Sequence, residues 1–564
     1  MDNTRPMPLK MTDTLAIALA QINPTVGDID GNIKCIRAAR AEAAGSHADL
    51  MICGELVVAG YPPEDLVLKA AFQDRIEAGV SVLAGDTADG GPALLVGAPW
   101  RDGGKLYNAA LLLDGGSVAA VRLKHELPNY GVFDEKRVFA AGPAPGPVSF
   151  RGALLGIMIC EDMWSPDVTE CLDECGAHML VVLNGSPFEA DKPDARLNLA
   201  AARTMESGLP LMYVNLVGGQ DELVFDGASF VLGAGGDLRA QAESWKTQVL
   251  LTRWRRDAND SWACDGGAIA KPAEGPEAVY RALTTGLHDY VDKNHFPGVL
   301  VGLSGGIDSA LSAAVAVDAL GAERVHCVMM PSPYTSAESL EDAAEAARLL
   351  GVRLDTIPID PAMEAFEGML REAFVRHPAD ATEENIQARA RGVTLMALSN
   401  KFGSMVLSTG NKSEMSVGYA TLYGDMCGGY SVLKDIYKTT VYELSRWRNQ
   451  HRPEDFPGPA GRVMPERILL KPPSAELKPD QTDQDTLPPY DQLDAILRCL
   501  IEEEMALGDI VARGHDAEVV RNVRTMLDRA EYKRRQAPPG VKITSRAFGR
   551  DRRYPITNGF TDPA

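Results

Sequence analysis

Short apolar runs that end in turn residues recur through the first 265 residues: LAIALAQINP, DLMICGEL, ALLVGAPW, NAALLLDG, GALLGIMIC, HMLVVLN and LMYVNLV. Each has the length of a β-strand and is followed or preceded by Gly, Pro, Asn or Asp, so each predicts a strand. Between them, stretches such as NIKCIRAARAEAAGSHA carry helical spacing. DGGAIAKPAEGPE, residues 265–277, is rich in Gly, Pro and Ala and reads as a linker. Beyond it, Val279, Leu283, Leu287 and Val291 recur every fourth residue, one apolar helix face. A buried strand (GVLVGL), a glycine turn and a helix from about Asp308 follow. RVHCVMMP, a helix, LDTIPID, a longer helical stretch and GSMVLSTG then continue an alternation of strand and helix, which predicts a parallel sheet. Residues 451–490 are rich in Pro and charge and predict a long surface loop, which at that length is often functional. The expected bounds are therefore 13–265 for a first domain, 266–276 for a linker and 277–550 for a second domain.

Composition narrows the class. The 564 residues are 45% hydrophobic and 24% charged, ordinary for a globular protein. A formal net charge of −22 repels phosphate backbones and argues against general nucleic-acid binding. No apolar run reaches the roughly 18 residues of a membrane helix. The first dozen residues lack a basic segment followed by a long apolar core, so an unstructured lead-in is expected rather than a signal peptide. Nine cysteines are scattered without a CxxC pair. Cys171 and Cys175 stand one helical turn apart with no second pair and no His cluster, so no structural metal site is expected, and a reducing cytoplasm fits best.

Three segments of the first block carry candidate chemistry. Glu55 follows the run DLMIC, Lys124 lies near a turn in VRLKHELPNYGVFDEKRVF, and Cys160 ends GALLGIMIC. Strand ends let a rigid sheet present side chains to a cleft. A thiolate can attack a carbonyl, a glutamate can take the thiol proton and return it to a leaving amine, and an ammonium can stabilise the oxyanion. In this order and context the three resemble the nitrilase superfamily of carbon–nitrogen hydrolases, across nearly the whole first block. The resemblance implies an α-β-β-α sandwich, with Glu55 as general base, Lys124 as oxyanion stabiliser and Cys160 as nucleophile. It further implies Glu135 as the carboxylate that orients the lysine. For a glutamine substrate the family pattern points to Tyr130 in LPNYGVF and to Ser186 and Lys192 in NGSPFEADK.

The second block carries VLVGLSGGIDSALSAAVAVDAL: strand, glycine turn, helix. Its glycines allow close approach of an anion, and the helix that follows offers free N–H groups and its positive end. No lysine follows the glycines, so this is not a GKS or GKT P-loop. The segment Gly302, Leu303, Ser304, Gly305, Gly306, Ile307, Asp308 and Ser309 resembles the PP-loop of ATP pyrophosphatases, which cleave ATP to AMP and pyrophosphate. EENIQARARG, LSTGNKSEMSVGYATLYGDMCGGYSVLKDIYKT and LLKPPSAELKPDQTDQDTLPPY further resemble the synthetase domain of NAD synthetases, over most of residues 280–545. That implies a doubly wound parallel-sheet α/β domain. It implies ATP contacts at Thr409, Lys438 and Ser474, magnesium at Asp308 and Glu414, and deamido-NAD contacts at Asn385, Arg389, Glu414 and Lys533. Single-domain, ammonia-dependent members carry a lysine and then an aspartate within TLYGDMCGGY, where Leu422 and Gly429 stand here.

Together the two blocks resemble the glutamine-dependent NAD synthetases. That resemblance implies amidation of deamido-NAD through an acyl-adenylate, with ATP and Mg2+, by ammonia taken from glutamine and passed between two sites. It also implies a homo-oligomer, since both domain families associate as dimers. Three other readings stand beside it. One is a nitrilase-type amidase fused to a PP-loop ligase for a different carboxylate. The second is a PP-loop tRNA-modifying enzyme, which would want a basic face. The third is a binding protein on a degenerate enzyme fold.

Overall fold

The structure, a computed structural model, describes residues 13–190, 192–479 and 481–560, with the side chains of 192–194 left out. The expected lead-in lies outside these residues. The chain divides into two compact units. Met1–Gln220 with Val224–Ala273 form the first, and Asp221–Leu223 with Glu274–Ala564 form the second.

Two sheets build the first unit. One contains β1 (Thr14–Gln21), β2 (Leu50–Cys53), β3 (Ala93–Asp102), β4 (Lys105–Asp114) and β5 (Ser117–Leu123). The other contains β6 (Val148–Phe150), β7 (Ala153–Ile159), β8 (Met179–Leu183) and β9 (Leu211–Val214). A ribbon of β10 (Val217–Gln220) and β11 (Leu223–Asp226) follows. Then β12 (Phe230–Leu232) and β13 (Leu238–Gln241) join the second sheet, and β14 (Gln248–Arg256) and β15 (Trp262–Cys264) join the first. The strand orders are β15-β14-β1-β2-β3-β4-β5 and β13-β12-β9-β8-β7-β6.

The period of two along a strand sorts side chains between layers. Ile157 and Ile159 join Leu155, Met179, Val181 and Leu183 in the core shared with Ile17, Leu19 and Ile52 of the other sheet. Met158, Leu180 and Val182 face the opposite way, onto Val168, Leu172 and Ala200. Those last three lie on α3 (Pro166–Glu174) and α4 (Lys192–Ser207), which cover the second sheet. The first sheet is covered by α1 (Ile29–Gly45) and α2 (Ala70–Asp86). The result is the α-β-β-α sandwich that the sequence implies.

The second unit opens with α5 (Gly275–Lys293), which starts inside the stretch read as linker. Its parallel sheet holds β16 (Val299–Gly302), β17 (Val325–Met329), β18 (Arg353–Thr356), β19 (Met405–Ser408) and β20 (Tyr430–Ser431), in the order β18-β17-β16-β19-β20. The connecting helices are α6 (Ile307–Leu320), α7 (Ala337–Leu350), α8 (Asp360–Phe374), α9 (Ala381–Phe402) and α10 (Lys412–Val417). Strand order reverses between β16 and β19, and ligands of doubly wound sheets bind at the carboxyl ends beside such a point. After the sheet come α11 (Lys438–Gln450), α12 (Glu466–Leu470), α13 (Tyr490–Ile501), α14 (Leu507–Ala512), α15 (Ala517–Arg529) and α16 (Glu531–Arg534). The stretch 451–490 departs from the expected surface loop. Val463, Met464, Ile468 and Leu487 are buried, so part of it is core.

Candidate active sites

In the first unit, Glu55, Lys124 and Cys160 follow β2, β5 and β7, and the folded chain brings them together with Glu135. The Lys124 Nζ donates to Glu55 Oε1 at 2.7 Å and to Glu135 Oε1 at 2.9 Å, with the lysine and Glu55 side chains wholly buried. Burial alone would lower the Lys124 pKa, but Glu135 and Glu55 outweigh it and hold the ammonium charged well above its ordinary range. Burial pushes the Glu135 carboxyl up, against the pull of Lys124. Burial, then the charge of Glu55, pushes the Cys160 thiol up, so at neutral pH it is a thiol that needs a base. Cys160 sits at φ +48°, a left-handed conformation that a side-chain-bearing residue rarely adopts. Such strain at a strand-to-turn elbow is a mark of functional positions.

Glu55 is held on both oxygens. Oε1 also accepts from Asn108 Nδ2 at 2.8 Å, and Oε2 accepts the Gly185 N–H at 3.1 Å. A Cβ on Gly185 would lie 2.9 Å from the Tyr61 ring, so only glycine lets this backbone approach. Asn108, on β4, and Gly185, after β8, were not marked by the sequence. Asn108 reads there as one more strand residue, and its role appears only through the pairing of β4. Tyr130 is exposed, its hydroxyl donating to the Glu161 carboxylate at 3.0 Å. Ser186 is buried, its N–H on Asn215 Oδ1. The side chain of Lys192 lies outside the described residues.

In the second unit a cavity of about 560 Å³ opens at the carboxyl ends of β16, β17 and β19. Gly302, Leu303, Ser304, Gly306, Ile307, Asp308, Ser309, Thr409, Glu414, Lys438, Ser474, Asn385 and Lys533 all line it. Gly305 stands at φ +79°, and a Cβ there would lie 2.2 Å from the Ser339 carbonyl oxygen. The Ser309 hydroxyl, 3.0 Å from Ser304 Oγ, closes the loop on itself. Lys438 Nζ donates to Asp308 Oδ2 at 2.5 Å and to Glu414 Oε1 at 3.2 Å. Burial opposes the Lys438 charge, yet Asp308 and Glu414 raise its pKa. Burial pushes Glu414 up, against Lys438.

Arg389 differs from its expected place. It lies outside the cavity lining, and its Nε donates to the Leu422 carbonyl. The stripe of α9 that faces the cavity runs through Asn385, Ala388, Arg391 and Leu395. Arg389 falls about 100° around the helix from Ala388. Arg391, two residues on in the same motif, takes the inward position, its Nε on the Met330 carbonyl. Asp425 and Asp483 also line the cavity and were missed. Lys533 Nζ donates to the Gly418 and Ala420 carbonyls, near Asp425. Asp483 is buried, with Tyr490 donating to Oδ2 while Oδ1 has no hydrogen-bond partner. Beneath the motif, Lys412 is wholly buried among Asp435, Glu502, Thr544 and the Arg546 carbonyl.

Asp308, Glu384, Glu414, Asp425, Glu476 and Asp483 outnumber the cations Arg391, Lys438, Lys471 and Lys533 in this cavity. That donor set fits Mg2+, a hard ion that takes one or two carboxylates plus phosphate oxygens and keeps waters. Among the described residues no three His, Cys, Asp or Glu side chains form a ready-made metal cage.

A thiol with a buried base and ammonium on one unit, and a glycine loop at a sheet switch point on the other, define a carbon–nitrogen hydrolase joined to an ATP-using synthetase. The family models agree: carbon–nitrogen hydrolase matches residues 16–263, and NAD synthase matches residues 279–537. The glutamine-dependent NAD(+) synthetase of Rhodobacter capsulatus is 49% identical over 98% of this chain and 100% of its own. That of Acinetobacter baylyi is 46% identical over 96% and 98%. A solved glutamine-dependent NAD+ synthetase from Acinetobacter baumannii, in complex with ADP, superposes with a TM-score of 0.77 at 44% identity, covering 98% of this chain and all of that one. The chain belongs to the family of glutamine-dependent NAD(+) synthetases.

Proposed function

We propose that this chain hydrolyses glutamine in its first unit and uses the ammonia, in its second, to amidate deamido-NAD with ATP. The observation that carries the first half is the Lys124 ammonium bridging Glu55 and Glu135 beside a Cys160 that is still a thiol. Glu55 takes the Cys160 proton as sulfur attacks the glutamine side-chain carbonyl carbon. Lys124 stabilises the oxyanion, and ammonia leaves with the proton returned by Glu55. Water, activated by Glu55, then releases glutamate from the thioester. Glu135 and Asn108 keep Lys124 and Glu55 in register. Tyr130, Ser186 and Lys192 hold the amino-acid end of glutamine.

In the second unit, Gly302–Ser309, Thr409, Lys438 and Ser474 bind ATP. The nicotinate carboxylate attacks the α-phosphorus, pyrophosphate leaves, and ammonia displaces AMP from the acyl-adenylate to give NAD. Asn385, Glu414 and Lys533 contact deamido-NAD, and the position of Arg391 in the cavity supports it in place of Arg389. Asp308 and Glu414 would hold Mg2+, which when bound supplies charge neutralisation at the phosphates. Ammonia that escapes is mostly protonated at neutral pH, so we read the two sites as passing it directly. The bounds 13–265, 266–276 and 277–550 follow as the proposed glutaminase domain, linker and synthetase domain.

Self-association is supported by α8, which buries none of its residues, by the exposed Met369 on it, and by the exposed Val393 and Met396, three residues apart on one side of α9. A second copy covering this face predicts an oligomer that Met369→Lys weakens in light scattering. Nine unpaired thiols support a reducing, cytoplasmic setting. Among the described residues no helix is long and apolar enough to cross a membrane.

The test is a coupled assay of NAD, AMP and glutamate with ATP, Mg2+, deamido-NAD and either glutamine or ammonium. Cys160→Ala should lose only the glutamine route. No NAD from either donor in the unaltered protein would overturn the reading. A trapping enzyme that captures all glutamine-derived ammonia would overturn its direct passage.

A further inference from the structure

The two residues that must meet at the glutamine carbonyl, Lys124 and Cys160, follow strands of different sheets. Something must fix the loop after the first against the turn after the second. Asp162, two residues beyond Cys160, lies in the short 3-10 turn Cys160–Met163 and is 2% exposed. Its Oδ1 accepts the N–H of His125 at 3.0 Å and of Glu126 at 2.8 Å. Its Oδ2 accepts the N–H of Ile159 at 3.0 Å. The first pair immediately follows Lys124, and the third N–H immediately precedes Cys160.

We infer that Asp162 is a positioning residue of the glutaminase: its single carboxylate clamps the Lys124 loop to the strand end that presents Cys160 and holds that cysteine in its strained elbow. Three N–H donors arriving from two chain segments can be met only by a group that accepts on both oxygens. A carboxylate does so, whereas an amide must turn its own NH2 toward one of the N–H groups. Burial pushes the Asp162 carboxyl up to about 6, and the backbone N–H groups of Glu126, Ile159 and His125 work against it, so the clamp is ionised at neutral pH. A buried carboxylate kept at such a cost, its hydrogen bonds all from backbone N–H groups and the Lys124 charge nearby, is unusual for packing alone. The remaining geometry agrees: the Lys124 N–H bonds the Asn108 carbonyl and the Lys124 carbonyl accepts from Gly142, so this stretch is pinned on one side by β4 and on the other by Asp162.

The inference rests on Cys160 and Lys124 acting as proposed, and the experiment separates the two. Asp162→Asn keeps shape and removes one acceptor. Misplacement of about 1 Å at a reacting group costs about 10²-fold in rate. The expected result is therefore a fall of about that size in the glutaminase kcat with KM within threefold. The rate of Cys160 alkylation by iodoacetamide, followed by mass spectrometry, should slow about tenfold, while the ammonia-dependent rate changes by less than twofold. Asp162→Glu keeps the charge but lengthens the arm, and it should lose kcat as well. Should Asp162→Asn not fold, Asp162→Glu with the alkylation rate carries the same test. Unchanged kcat and alkylation in either folded variant overturns the clamp. Full rescue by Asp162→Glu overturns it too, since charge alone would then suffice. So does a loss of both routes together with melting temperature, which is the signature of a merely structural role. Survival of glutamine hydrolysis in Cys160→Ala would instead overturn the reading beneath it.

Discussion

The two active units solve different chemical problems with the same small set of charges. Each has one buried lysine between two carboxylates: Lys124 between Glu55 and Glu135, and Lys438 between Asp308 and Glu414. In the first, the set is sealed from solvent, although Glu135 Oε2 has no hydrogen-bond partner. Glu55 has a partner on each oxygen, and its side chain and that of Lys124 are wholly buried. In the second, the carboxylates keep a sixth of their surface exposed on a cavity, and Asp483 adds a third acid with one oxygen unpartnered. A sealed set suits proton transfer at a thiol. An open, acidic set suits the cation and polyphosphate proposed for it. The contrast accords with the proposal that this acidic chain binds ATP together with Mg2+: a cation at this point would offset the excess negative charge that a nucleotide alone would meet.

The largest expected effect tests that closure. Lys124→Met strands two buried carboxylates, so it should cost about 3–5 kcal/mol of stability and about 10²–10³-fold in glutamine hydrolysis. Lys438→Met should abolish NAD formation from either donor with a smaller loss of melting temperature, because its partners reach the cavity. Equal losses of melting temperature in the two variants would break the comparison. Chelation of divalent ions sharpens it: NAD formation from glutamine and from ammonium should both stop, while glutamate release continues. A glutaminase that stops with the same chelator would refute a metal-free first site.

The smallest effect is a pH dependence. Burial raises Asp162 to about 6, from an unfolded value near 3.9. The folded chain therefore binds the extra proton, and this group's contribution to stability is lost as pH rises through that window, by up to about 3 kcal/mol. Asp162→Asn lacks the dependence. The melting temperature of the variant relative to the parent should rise between pH 4.5 and 6.5 and level off above. A constant difference would show that Asp162 titrates as an ordinary surface acid.

Part of this was legible in the chain because each candidate side chain of the first site ends an apolar run, a pattern set by strand geometry itself. That pattern alone is a weak signal; Glu55, Lys124 and Cys160 stood out because the set resembles the nitrilase superfamily, and the glycine loop announced its own turn. What escaped depends on pairing across the sheet or on rotation around a helix. Asn108 is silent until β4 lies beside Glu55, and Asp162 is one acid among many until three N–H groups converge on it. LMYVNLV reads as one strand, but the fold breaks it at Asn215, whose side chain turns to the backbone of Ser186. The helix motif supplied two arginines, and spacing alone did not say which faces in. Proline and charge disguised 451–490 as surface, although Ile468, Lys471, Ser474 and Asp483 line the cavity.

The burial of Lys412 sets a lower limit on how this protein can be cut. Its ammonium is satisfied in part by Thr544 and the Arg546 carbonyl, and Phe548 completes the apolar cluster of the final helices. A fragment designed on the residues that match the NAD synthase model, 279–537, would discard all three and leave the buried Lys412 ammonium with Asp435 and Glu502 alone, its other donors unsatisfied. Anyone trimming the second unit for expression should carry the chain to at least Phe548.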